Sequence, residues 1–211
     1  GSLSAFAVEG KDESRENRKL VYKVDIKDEI GPSIWRLVKR SFDRATDENA
    51  DVILVHMNTY GGMVVYADSL RSLILNYPKP VWVFIDNNAA SAGALISIAC
   101  DRIYMREGAN IGAATVVNQT GAALPDKYQS YMRSMIRSTA EAQGKDTLIQ
   151  NGDTIYKWKR DPLIAEAMVD DRVIVPNLID SGKVLTLTSQ EALKCCLLYT
   201  SDAADDRISV D

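Results

Sequence analysis

Two runs without a polar residue, Val52-Ile53-Leu54-Val55 and Val81-Trp82-Val83-Phe84-Ile85, constrain the fold most, because each reads as a short strand buried in a sheet. Between them, Met63 to Asn76 carries Met63, Ala67, Leu70 and Ile74 at helical spacing and is stopped by Pro78 and Pro80. Upstream, Leu20 to Ile26 alternates as a strand, and Ser33 to Arg44 reads as a helix with Ile34, Leu37, Val38 and Phe42 on its inner face. Downstream, Leu95 to Cys100 continues an apolar helix and Arg102 to Met105 a short strand. Strands alternating with helices predict an α/β fold with a mainly parallel sheet and right-handed crossovers.

The second half is less regular. Gly108 to Pro125, rich in Gly, Ala, Asn and Thr, reads as a loop of a length that often carries function. From Asp126 to about Gln143 an amphipathic helix presents Tyr128, Tyr131, Met132, Met135 and Ile136 as its apolar positions, and Gly144 ends it. Thr188 to Glu191 has capping-box spacing and starts a last helix.

With 211 residues and 46% hydrophobic content the chain can build one sizeable core. A net charge of -4 and the lack of a basic stripe exclude a nucleic-acid binder. No run approaches the roughly 18 to 20 apolar residues that span a bilayer. The three cysteines show no metal-ligand or disulfide spacing, so neither a metal nor a cofactor is expected. Cys100 reads as a small hydrophobe in a buried helix.

Residues 1–19 read as a leader and charged linker, residues 20–195 as the folded domain. Leu3 to Ala7 resembles the end of a secretory signal, with Gly1-Ser2 equally readable as a cloning scar, and both readings stay open. Cys196 to Asp205 resembles the read-through translation of a sequencing adapter, so residues 196–211 are expected to be non-native and the natural protein to continue differently.

The chemistry centres on Asn87-Asn88-Ala89-Ala90-Ser91-Ala92-Gly93-Ala94, where a strand gives way to an apolar helix. Ser91 falls at the helix N-terminus, where free N–H groups favour developing negative charge, while Ala90, Ala92 and Gly93 leave room for a substrate backbone. Alone, its simplest role is a helix cap. A Ser-His-Asp triad would have to use His56, the sole histidine, whose place in a buried strand suits packing better than catalysis. The other base for serine is a neutral lysine, lowered from about 10.4 by burial. Lys127 is the first lysine after Ser91, and its composition fits an ordinary surface lysine as well as a base. The turn Asn58-Thr59-Tyr60-Gly61-Gly62 could aim backbone N–H groups at an oxyanion, or simply turn the chain.

The order strand, Asn-Thr-x-Gly-Gly, helix, strand, Ala-Ser-Ala-Gly helix, strand, then Gly108 to Ala114, resembles the NfeD-type membrane-associated serine proteases, relatives of signal peptide peptidase A with the ClpP/crotonase fold. The resemblance runs from about Leu20 to Lys194 and includes the closing Leu185 to Lys194. It implies Ser91 as nucleophile, Lys127 as base in a pattern shared with Tyr131 and Ser138, and oxyanion or substrate contacts at Gly61, Gly62 and Ala92. Tyr60 stands where the family usually has proline. The resemblance further implies cleavage of apolar peptide segments of a membrane protein such as a stomatin-like partner. It also implies at least a dimer, and a full-length protein anchored at the extracytoplasmic, for example periplasmic, face of a membrane. Residues 108 to 126 are expected to close over the site when substrate arrives. Two other functions share the fold: crotonase-type acyl-CoA chemistry, for which Asp86 is the nearest acid, and a non-catalytic membrane-associated scaffold.

Overall fold

The computed structural model describes residues 18–195 and 197. The leader reading and the non-native-tail reading lie outside the described residues, apart from Leu197, which is buried and donates its N–H to Ala192.

The expected alternation is present: β1 (Val21–Ile26), α1 (Pro32–Asp47), β2 (Val52–Thr59), α2 (Val64–Leu75), β3 (Val81–Ala90), α3 (Ala92–Ala99) and β4 (Arg102–Met105). After them come β5 (Asn110–Gly112), α4 (Asp126–Ala142), β6 (Lys145–Gln150), β7 (Asp153–Trp158), α5 (Pro162–Ala167), β8 (Thr186–Thr188) and α6 (Ser189–Lys194). The main sheet runs β1-β2-β3-β5-β8, with β4 also on β3, and every pair is parallel except β5 with β8. It is an α/β fold with a mainly parallel sheet.

Strand β3 organises it. Its first half, Trp82 to Ile85, pairs with β4, and its last residues, Asn88 to Ala90, pair with β5. Sequence reading ended this strand at Ile85, because Asp86 to Ala90 has no strand-forming residues. Pairing overrides that preference: β2 follows β3 outward through a register shift between Met57 and Thr59, and β5 closes the other side. The overrun places Ser91 directly between β3 and α3.

The strand faces differ. Val24, Ile26, Val55, Met57, Val83 and Ile85 are buried, and alternate residues such as Leu54, His56 and Phe84 are only half-buried. Arginine stems cover part of that second face, Arg102 over the Trp82 ring at 4.6 Å and Arg106 over Phe84 at 5.8 Å. The helices bury Ile34, Val38 and Phe42 of α1 and Ala67, Leu70 and Ile74 of α2 as expected. Leu37 and Met63 are instead exposed, as are Tyr128 and Tyr131 on α4, whose inner face is Met132, Met135 and Ile136. Leu37, Tyr128 and Tyr131 lie at the edge of an apolar stripe whose centre alone meets the core, whereas Met63 is the N-cap residue, just outside α2.

Five elements were missed, α5 and β8 among them. The region 108–125 contains β5, and Lys145 to Trp158 forms a separate hairpin, β6–β7. Its signal is in the sequence: Asn151-Gly152, at φ 52° and 82°, is the turn that two-residue hairpins prefer, flanked by Thr147-Leu148-Ile149 and Thr154-Ile155-Tyr156. The capping box of α6 forms as expected, Thr188 Oγ1 accepting from Glu191 N–H and Glu191 accepting from Thr188 N–H.

Gly112 couples the β5–β8 ladder to Ser91, whose N–H donates to its carbonyl. Its φ is 139°, and a Cβ there would lie 2.3 Å from the Leu185 carbonyl oxygen. Gly112→Ala is therefore expected to lose about 2 kcal/mol or more of stability, read as a lower urea midpoint.

Candidate active site

Ser91 occupies the N-cap position of α3 at φ 55°, ψ -119°, a region that costs a non-glycine residue roughly 1–3 kcal/mol. Its side chain makes no capping bond, so the simplest role, a helix cap, does not account for it. Backbone contacts hold it instead. Its N–H donates to Gly112 at 2.9 Å, and its carbonyl accepts from Ala94 at 3.0 Å. Half-buried, and with a hydroxyl that has no hydrogen-bond partner among the described residues, it stands at the junction of β3 and α3.

The Gly61-Gly62 turn lies against it. A Cβ on Gly61 would sit 2.7 Å from Ser91 Cβ and 3.1 Å from its Oγ, so only glycine fits there. On its far side the turn is held by Ile30, whose N–H donates to Gly61 at 2.9 Å and whose carbonyl accepts from Met63 at 2.8 Å. Because neighbouring groups alternate along extended backbone, Gly62 turns its own N–H and C=O away from Ile30. Gly61 N–H is engaged, donating to Thr59 Oγ1 at 3.1 Å. Among the described residues no acceptor is found for the amides of Gly62 and, in the first turn of α3, of Ala92 and Gly93.

Thr59 was named in sequence only as part of the turn, yet it joins both halves of the site. Its hydroxyl donates to the Asp28 carbonyl at 2.7 Å while accepting from Gly61, and its methyl group fills the space a Cβ on Gly93 would need, 2.7 Å away. A surface cleft of about 390 Å³ opens beside the turn, lined by Lys27, Asp28, Glu29, Asn58, Thr59, Tyr60, Gly61 and Gly62.

Lys127, second residue of α4, is exposed rather than buried, its ammonium 4.9 Å from the centre of the Tyr128 ring. No hydrogen bond joins it to Ser91 among the described residues. Tyr131 is 60% exposed, and Ser138 is spent on structure, donating to the Met135 carbonyl and accepting from Arg71 of α2 at 3.1 Å. His56 serves the sheet, as its position implied: it packs edge-on against Phe84, and its Nε2 lies 2.9 Å from Asp86 Oδ2. Asp86 also pairs with Arg106 at 2.6 Å, and the hydrogen bond from His56, then these charges, hold its carboxyl below the usual range. Among the described residues no cluster of His, Cys, Asp or Glu is placed to hold a metal.

The segment expected to close on a ligand is tied to the body of the domain at residues 114–116, and residues 117–123 beyond them are exposed. Ala114 N–H donates to Met168, Thr115 Oγ1 to Val169, and buried Gln129 bonds both the N–H and the carbonyl of Val116. Beside it, Arg172 donates to both oxygens of Asp170, and Arg133 bridges Asp170 and Asp126 at 3.1 Å to each. This cluster fixes the start of the helix that bears Lys127.

The model described as NfeD1b, N-terminal domain, matches residues 20–154, more than half of the chain. The chain belongs to this family. The NfeD1b-type domain is 29% identical over 194 residues to membrane protein NfeD1b of Bacillus subtilis, covering 92% of this chain and 40% of that protein. It is 27% identical over 143 residues to the membrane-bound protease PH1510 of Pyrococcus horikoshii, covering 63% and 32%. The chain thus spans less than half the length of either relative. Among solved structures, a lysine-to-alanine variant of the 1510-N membrane-bound stomatin-specific protease, in complex with a substrate peptide, is similar at TM-score 0.68 and 25% identity, over 86% of this chain and 74% of that one. ClpP1 of Listeria monocytogenes (TM-score 0.57, 15% identity, 84% and 88% covered) and an enoyl-CoA hydratase of Mycobacterium marinum (0.50, 16%, 80% and 65%) share the fold, which is therefore the ClpP/crotonase fold.

The arginine cluster gives a pH signature. Hydrogen bonds from Arg172 hold the Asp170 carboxyl below its ordinary value of 3.8, against the opposing effect of burial. A depressed native pKa contributes stability above the ordinary value that is lost as pH falls through the native one. Asp170→Asn should cost about 1–3 kcal/mol at neutral pH, with the gap to the wild type closing as denaturant titrations move below pH 4.

Proposed function

We propose that this domain is a serine endopeptidase in which Ser91 is the nucleophile and Lys127 the general base. The observation that carries the reading is Ser91 itself: a serine held at positive φ where a strand meets a helix, with no capping bond, and with Gly61 cut back to hydrogen so that a turn can touch it. Strain of this kind persists where the surroundings over-determine it, and such residues concentrate at active sites. In this mechanism Ser91 Oγ attacks a peptide carbonyl as its proton passes to neutral Lys127, and the uncommitted amides of Gly62 and Ala92 stabilise the oxyanion. Lys127 then returns the proton to the leaving amine, and water hydrolyses the acyl-enzyme. Gly61 contributes by its lack of a side chain.

Lys127 starts exposed, so its approach to Ser91 belongs to the substrate-bound or self-associated state, in which desolvation also favours the neutral amine. Exposed Tyr60, Met63 and Val65 follow one another around the Gly-Gly turn and suit an apolar peptide. A stomatin-like membrane protein is the proposed partner, in keeping with the stomatin-specific relative. No helix among the described residues is long and apolar enough to cross a membrane. We assign membrane attachment, on the extracytoplasmic side, to parts of the protein outside this domain, residues 20–195. Leu148, Ile149, Ile155 and Tyr156, exposed on the β6–β7 hairpin, favour a homodimer or larger assembly, since a two-stranded sheet has little stability by itself. Crotonase-type acid–base chemistry is disfavoured because Asp86 is committed to His56 and Arg106.

Ser91→Ala should abolish both labelling by an alkyl fluorophosphonate and cleavage of an apolar peptide while leaving the circular dichroism spectrum unchanged. Peptide cleavage by purified Ser91→Ala at the wild-type rate would rule the assignment out. Lys127→Ala should slow labelling by about 10²-fold or more, and Gly61→Ala should do the same by displacing Ser91.

A further inference from the structure

Helix α3 is eight residues long and all of it is buried, with Ser91 at one end and Ala99 at the other. The last carbonyls of a helix have no partner within it. Here two polar side chains supply partners. Gln143 Nε2, at the end of α4, donates to Ala99 at 2.9 Å and Ile98 at 3.3 Å, and Arg160 Nη1 donates to Ile98 at 3.3 Å.

Arg160 is the unusual member. It is 5% exposed, its Nε has no hydrogen-bond partner among the described residues, and burial pulls its guanidinium down to about 10. A buried cation without a bonded carboxylate is costly, and an apolar side chain of similar volume generally serves stability better. What the guanidinium adds is a directed donor, with its charge at the negative end of the α3 dipole. Its place in the chain matters too. Gln143 precedes β6, Arg160 follows β7, and Lys159 N–H closes the base of the hairpin on the Gly144 carbonyl at 3.0 Å. Both legs of the hairpin therefore end on one carbonyl, that of Ile98. At the opposite end of the same short helix Ser91 is held in its strained conformation by backbone contacts alone.

We propose that Arg160, together with Gln143, is a positioning residue that fixes α3 along its axis and so holds Ser91 at its attacking position against Gly61. This inference rests on Ser91 being the nucleophile. A shift at the C-terminal end of so short and rigid an element is carried directly to its N-terminus, where the contact with Gly61 leaves no slack.

The test compares second-order labelling by an alkyl fluorophosphonate in the wild type, Arg160→Met, Arg160→Lys and Gln143→Leu, with Ser91→Ala as the unlabelled control. Arg160→Met is expected to keep or raise the melting temperature while labelling about tenfold slower or worse, with faster hydrogen exchange at the amides of α3. Arg160→Lys keeps the charge without the planar fork and should fall between the two. A purely structural arginine would lower melting temperature and reactivity together, and that pattern overturns the proposal. Labelling of Arg160→Met within about twofold of the wild type overturns it as well. If Arg160→Met fails to fold, Arg160→Lys and Gln143→Leu decide by the same limit. A wild type that takes no label refutes the nucleophile reading instead, which separates that failure from this one.

Discussion

The contact between Gly61 and Ser91 is the constraint on which the rest depends. Serine does not choose φ 55° by itself, and the conformation survives because its neighbours leave no alternative. Gly112 takes its N–H, Gly61 closes one side, and Thr59 packs on Gly93 just inside the helix. Gly112 belongs to β5, and Thr59 and Gly61 to the end of β2 and the turn after it, so the site exists only when β2, β3 and β5 are in register. The register shift between Met57 and Thr59 is part of that construction: it lets β2 keep pace with a β3 that runs on to Ala90.

How much of this was legible in sequence follows from where the information sits. The buried strands Val52 to Val55 and Val81 to Ile85 declare themselves because burial on both sides excludes polar residues. The order of small-residue turns between them identifies the family. The extension of β3 was not legible, since Asp86 to Ala90 is held as strand by its partners and not by its own preferences. Leu37, Tyr128 and Tyr131 show the limit of periodicity, which finds a stripe but not its edges, and Met63, the N-cap of α2, shows that it does not find the helix end either. Thr59 was hidden for another reason. Its importance lies in three contacts made at once, to Asp28, Gly61 and Gly93, and each joins residues far apart in sequence or across a turn.

The two candidate catalytic residues are held in contrasting ways. Ser91 is locked by backbone packing in an apolar layer, whereas Lys127 sits on a helix whose start is fixed by charge, through Asp126, Arg133, Asp170 and Arg172. The first kind of restraint is insensitive to salt and pH. The second is sensitive to both. A site assembled from one of each can keep the proposed nucleophile ready while the approach of the proposed base answers to conditions.

The clamp of Ile30 on the Gly-Gly turn has a consequence of its own. Gly61 and Met63 are bonded to the same residue, so the peptide unit between them cannot swing, and Gly62 N–H is left facing outward with its direction already set. A negative oxygen arriving there meets a dipole that needs no reorientation, and the usual cost of turning solvent or chain toward a new charge is absent. Ile30 contributes this through its backbone alone, while its side chain lies fully in the core. The electrostatics of the turn are thus underwritten by hydrophobic packing more than thirty residues earlier in the chain than the turn itself.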